Sequence, residues 1–202
     1  MMAVPVPATM AHLERDTRGL PVPFIVLRDT QGVPHFTVNN DTLRVKCLYE
    51  NLCGICGKRL HRGRWFIGGP LSAFDPHGFY VDPPMHAECA RYALQVCPYL
   101  GAPHYGRSIA GKTIAPGELE AMQSALVEFT MLPERPTLFV AVMAVEQKLQ
   151  HNVNKRAQNL EIYVCPVKPY RSIEYWQHGK RLPEVGAPMV ARAVLDYANK
   201  HW

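Results

Sequence analysis

Two short ligand-type pairs constrain this chain more than any other feature: Cys53-Gly-Ile-Cys56 and His86-Ala-Glu-Cys89, with 29 residues between Cys56 and His86. In a C-x2-C knuckle the chain turns back so that both sulfurs face one centre, and Gly54 and Gly57 supply the backbone freedom for that turn. In His-x-x-Cys on a helix, positions i and i+3 share a face, so imidazole and thiolate point the same way. Cys53, Cys56, His86 and Cys89 together make Cys3His, a closed tetrahedral zinc set. The expectation is one structural Zn2+ per chain. A redox dithiol at Cys53 and Cys56 would open a helix after a strand and has no use for a distant His/Cys pair. His77, in the loop Asp75-Pro76-His77-Gly78, also lies between the cysteine pairs and competes with His86 as fourth ligand. Three thiolates on a divalent cation leave about one negative charge, which Lys58, Arg59, Arg62 and Arg91 are expected to screen. Cys47, Cys97 and Cys165 read as small buried residues.

The segment between the pairs has a readable order. Residues 58–60 and 64–67 predict two short strands about a turn at His61-Arg62-Gly63. Asp82-Pro83-Pro84 predicts a helix start, an N-cap acid followed by proline in the first turn. That helix runs to about Val96, where Cys97-Pro98 stops it. Knuckle, hairpin, then a helix carrying ligands in its first turn is the order of a treble-clef zinc module. Upstream, strands are predicted over 24–27 and 35–38 about a turn at 29–32, and Asn40-Asp41 caps a helix over 42–51. Residues 68–81 and 101–117 read as loops. Downstream come a helix over 118–129, strands over 137–145, 160–167 and 172–176, a turn at His178-Gly179-Lys180, and a last helix over 189–199. No element is predicted over 147–159. The fold class is α+β: a treble-clef zinc knuckle (hairpin plus helix) joined to a small antiparallel sheet with flanking helices. The expected division is a flexible N-terminal arm over 1–18, loose or with a short helix around Ala8 to Arg15, a zinc-binding region over 19–104 and a C-terminal α+β region over 105–202, the last two either sharing one core or forming two subdomains that meet near 105–117.

Composition excludes some classes. With 48% hydrophobic and 19% charged residues, the chain is not of the disordered type. A net charge of +5 permits nucleic acid or an acidic protein as partner and demands neither. No run approaches the ~20 apolar residues of a membrane span. Residues 1–11 are broken by Pro5 and Pro7 and lack a basic start, so they do not read as a secretory signal. Zinc-type cysteine spacing suits a reducing cytoplasm. Lys58, Arg59, Arg62 and Arg64 with Trp65 have the make-up to track phosphates and stack a base. The simpler reading is a solvated hairpin with Trp65 packed beneath it. No catalytic constellation stands out. Gly68-Gly69-Pro70 lacks the lysine and helix of a phosphate loop, and there is no Gly-x-Ser-x-Gly elbow. Asp75, His77 and Asp82 are the basis for a metal-dependent nuclease alternative, and turn chemistry accounts for them.

Several stretches resemble a family of small uncharacterised phage and prophage proteins. They are Gly19-Leu20-Pro21-Val22-Pro23-Phe24, Leu52-Cys53-Gly54-Ile55-Cys56-Gly57, Phe66-Ile67-Gly68-Gly69-Pro70, the run from Asp82 to Ala90, Cys97-Pro98-Tyr99-Leu100, and the run from Ile173 to Lys180. The resemblance covers most of the chain and is strongest over 19–100. It implies a zinc-binding phage protein in the host bacterial cytoplasm. A Cys3His set has no vacant coordination position, so the expected role is binding a host macromolecule. A protein partner comes first (inhibition of a host defence, or regulation), nucleic acid second and nuclease action third.

Overall fold

Asn40 sets the start of the first helix by accepting a 3.1 Å hydrogen bond from the Leu43 amide, the cap read from Asn40-Asp41. The structure is a computed structural model describing residues 4–61, 63–101, 138–154, 159–183 and 186–192. Ahead of that helix, β1 (Val26–Arg28) and β2 (Pro34–Asn39) form an antiparallel hairpin. Its turn is held by the Asp29 carboxylate, which accepts from the Gln31 and Val33 amides. The remaining elements are α1 (Asp41–Glu50), β3 (Arg64–Gly68), α2 (Pro70–Phe74), α3 (Ala87–Val96), α4 (Pro98–Gly101), β4 (Phe139–Ala144), β5 (Gln147–Asn154), β6 (Asn159–Pro166), β7 (Ser172–Gln177) and β8 (Lys180–Arg181). Residues 187–192 are helical.

The fold is mixed α and β, with small antiparallel sheets and few helices among the described residues. The central sheet has the order β3-β4-β7-β8. Its middle strand β4 is apolar throughout, and Val140, Ala141 and Val142 are fully buried because both faces are covered. Strand alternation divides the core in two. Phe139 and Ala141, with Trp65 and Trp176 from the neighbouring strands, face a cluster that includes Cys53, Cys56, Cys89 and the apolar side of α3. Val140, Val142 and Ala144 face a second cluster with Phe66, Leu48 of α1 and Ile162 and Val164 of β6. The β5–β6 ribbon joins this second side through reciprocal hydrogen bonds of 2.9 Å between Tyr80 and Val164.

Five expectations are corrected. Residues 58–60 do not pair with β3, because their backbone is already committed to the knuckle: the Cys53 amide donates to Lys58 O and the Leu60 amide to Asn51 O. β3 takes β4 as partner instead, from Arg64↔Ala144 to Gly68↔Val140. The zinc-region helix starts at Ala87, since Met85 exchanges two hydrogen bonds with Trp65 and Pro84 O accepts from Gly54. Within the expected loop over 68–81, Pro70 at the first helical position starts α2. The polar run over 147–154 is a strand, paired residue for residue with β6. The N-terminal arm is packed: Met10, in a 3-10 turn over Ala8–Met10, is 2% exposed. The helix expected over 118–129 and the end of the last helix lie outside the described residues.

The expected boundary near residue 105 is crossed by the β3–β4 ladder. The first core cluster likewise draws on both sides of it.

Candidate metal centre

The knuckle over 51–60 is a tight reversal. The Cys53 amide donates to Lys58 O at 2.8 Å, and the Gly57 amide donates back to Cys53 O at 2.8 Å. Gly57 holds φ at +70°, the left-handed region that glycine enters without steric cost. The Gly54 amide donates to Pro84 O at 3.0 Å, which ties the knuckle to the chain entering α3. The Trp65–Met85 pair then delivers His86 to the N-cap position of α3 and Cys89 to its first turn. His86 and Cys89 are thus brought together by a cap and a first turn, not by two positions within a helix.

The ligand atoms of Cys53, Cys56, His86 and Cys89 all lie within 4.8 Å of one another. For sulfurs 2.3 Å from a tetrahedral zinc, the edge of the tetrahedron is about 3.7 Å, so the four are grouped on the scale that one ion requires. The three cysteines are buried. His86 Nδ1 is 3.3 Å from Cys56 Sγ, and its Nε2 is 3.2 Å from Arg59 O. A carbonyl only accepts, so Nε2 carries the proton and Nδ1 presents its lone pair to the sulfurs. A ring nitrogen fixed on a backbone carbonyl is the usual outer support of a metal-bound histidine. The His86 amide lies 3.5 Å from Cys53 Sγ.

The electrostatics of the protein alone are those of crowded thiols. Hydrogen bonds from Cys56 and Cys89 hold the Cys53 thiol well below its ordinary range. The same hydrogen bonding to Cys53 pushes Cys56 up to about 11 and Cys89 up as well. The His86 imidazole is raised, chiefly by its hydrogen bond to Cys53. Metal ligation requires thiolates, so a bound cation would favour the ionised form of all three sulfurs.

Other expected site residues are placed differently. His77 is exposed, its amide capped by Asp75 Oδ1 at 2.7 Å, and it is not among the grouped ligands. Asp82 accepts from Asn39 at 2.6 Å. Arg91, expected to screen the thiolates, instead makes a forked pair with Glu174, with its shortest contact at 2.6 Å, and lies 5.1 Å over the Trp65 ring. Trp65 is 7% exposed. Arg64 donates to Asn51 Oδ1 and Val145 O. Lys58 and Arg59 are exposed, and Arg62 lies outside the described residues. Cys47 is buried with its thiol pushed up to about 12 by desolvation, whereas Cys97 and Cys165 are half-buried.

Sequence reasoning missed the support given by the Arg59 carbonyl. It also missed two contacts from the N-terminal stretch: Thr9 Oγ1 to Cys89 Sγ at 3.7 Å and His12 Nε2 to Cys56 O at 3.0 Å. Spacing carries no signal for any of them.

No family model, curated protein or solved structure matches the chain. No helix among the described residues is long and apolar enough to cross a membrane.

Proposed function

We propose that Cys53, Cys56, His86 and Cys89 hold one structural Zn2+ in a treble-clef-like module, and that the protein is a phage-encoded accessory factor that works by binding a host protein. The observation that carries the metal reading is His86, with Nε2 spent on the Arg59 carbonyl and Nδ1 3.3 Å from Cys56 Sγ, inside a group of four ligand atoms within 4.8 Å of one another. A hairpin knuckle over 51–60, a second pairing between β3 and Met85, and α3 leading off with two ligands follow the treble-clef order, with α2 as an insertion. Four protein ligands fill a zinc tetrahedron, so the ion would act as a staple with no position for substrate water.

A binding role follows from a closed metal set and from the resemblance to phage proteins noted above. A protein partner is favoured over nucleic acid because Trp65 and Arg64 are engaged within the molecule and do not form an open stacking strip. Metal analysis of protein purified without added zinc should find about one zinc per chain. Cys53→Ser should lose both the metal and cooperative unfolding. Tagged protein should then retain a stoichiometric host protein through a rise in salt. Capture of nucleic acid that weakens steeply with salt would favour the second reading. Mg2+- or Mn2+-dependent cleavage of nucleic acid, abolished by His77→Ala, would favour the nuclease.

A further inference from the structure

Two hydrogen-bond contacts from the N-terminal stretch land on ligand residues, 80 and 44 positions away in the chain. Between them, Met10 is 2% exposed inside the same cluster as the three ligand cysteines, and Val4, Val6 and Leu13 pack against that cluster. The stretch is anchored behind this point by the Val22 amide donating to Glu14 O at 2.8 Å and the Asp16 amide to Leu20 O at 2.9 Å. Thr9 Oγ1 lies 3.7 Å from Cys89 Sγ, and a sulfur bound to zinc as thiolate would have no proton to give, so in the loaded site the Thr9 hydroxyl would be the donor. The Cys56 carbonyl only accepts, so His12 donates from Nε2.

We infer that residues 4–13 are the outer wall of the metal centre, with Thr9 and His12 as positioning residues for Cys89 and Cys56 and Met10 as the plug. This rests on the zinc reading above. A hydroxyl donated to a metal-bound thiolate draws charge from the sulfur and makes it a poorer target for protons. A buried methionine beside it denies access to a competing ligand. Loss of zinc therefore requires the arm to lift. By linkage, the bound ion holds the arm down as firmly as the arm retains the ion.

The test uses full-length, zinc-loaded protein and the chromogenic chelator 4-(2-pyridylazo)resorcinol, following the rate of zinc transfer. Thr9→Val keeps the shape of the side chain and the burial of Met10, so it should fold normally and release zinc about tenfold faster, if the roughly tenfold loss of affinity that follows removal of an outer hydrogen bond falls on the release step. Met10→Ser should release it faster still, and Thr9→Ser should stay near the wild-type rate. If Thr9→Val and Met10→Ser both carry one zinc and release it at the wild-type rate, the arm is no part of the centre. Wild-type protein that purifies without zinc and takes none up rejects the metal reading itself, and this inference with it.

Discussion

Glu174 is 1% exposed yet carries a carboxylate, so its neighbours decide how α3 is held to the sheet. Arg91 grips it through Nε and one terminal nitrogen, Trp176 Nε1 donates at 3.2 Å, and Arg181 stands 3.7 Å away. The same guanidinium covers the Trp65 ring, so one arginine ties α3 to both β3 and β7. Arg91→Ala strips the best donor from a buried charge and should cost about 2–3 kcal/mol in urea unfolding. Arg91→Lys should recover little, because an ammonium cannot make the fork. Adding Glu174→Gln to Arg91→Ala should return part of the loss, since the unpaired charge is then gone. Arg91→Ala within about 0.5 kcal/mol of wild type would show that the clasp contributes little. The four metal-type ligands were legible in the sequence because each pair is local and its spacing is set by the chemistry. The Arg91–Glu174 clasp was not, because an ion pair 83 residues apart leaves no local mark.

Among the elements, the knuckle depends most narrowly on one residue. A Cβ on Gly57 would enter the left-handed region and lie 2.8 Å from the Phe24 ring. The backbone conformation alone costs an L-residue about 1–2 kcal/mol, and the ring, pinned by the Phe24 amide on Ile55 O, adds to that. Gly57→Ala should therefore lower the Tm of the zinc-loaded protein by at least about 5 °C. Gly186→Ala, where nothing lies within 4 Å, should change stability by no more than about 0.5 kcal/mol. Equal effects of the two substitutions in a thermal melt would contradict this. Elements with their own signals were readable: α1 from its Asn40 cap, β4 from an unbroken apolar run, and β1 and β2 from the turn at Asp29. β5 was not, because its residues alternate weakly and its pairing with β6 supplies what its composition lacks. The start of α3 was misplaced for a related reason. Pro83 and Pro84 are good first-turn residues, but pairing of Met85 with Trp65 holds the chain extended until His86.

At the scale of the whole molecule, the Cys3His cluster and the C-terminal strands share a core. The first core cluster joins Cys53, Cys56 and Cys89 to Phe139, Ala141 and Trp176. β3, the one strand among the described residues between the two ligand pairs, finds its neighbour in β4. A fragment ending at Gly101 would leave the sheet-facing sides of Trp65, Phe66 and Ile67 without Phe139, Val140, Val142 and Trp176. Each such large apolar side chain is worth roughly 1.5–3 kcal/mol when buried. Four of them approach or exceed the roughly 5–15 kcal/mol by which a typical domain is stable. Zinc can fasten the knuckle to α3, but it makes no contact that replaces a missing strand. The fragment 1–101 supplied with zinc should therefore bind the ion weakly, expose Trp65 to quenchers and melt without a cooperative transition. The full chain should melt once, with Trp65 and Trp176 reporting together. A zinc-loaded 1–101 fragment that unfolds cooperatively, with Trp65 shielded, would show instead that the metal module stands alone and the β3–β4 ladder joins two separately stable parts.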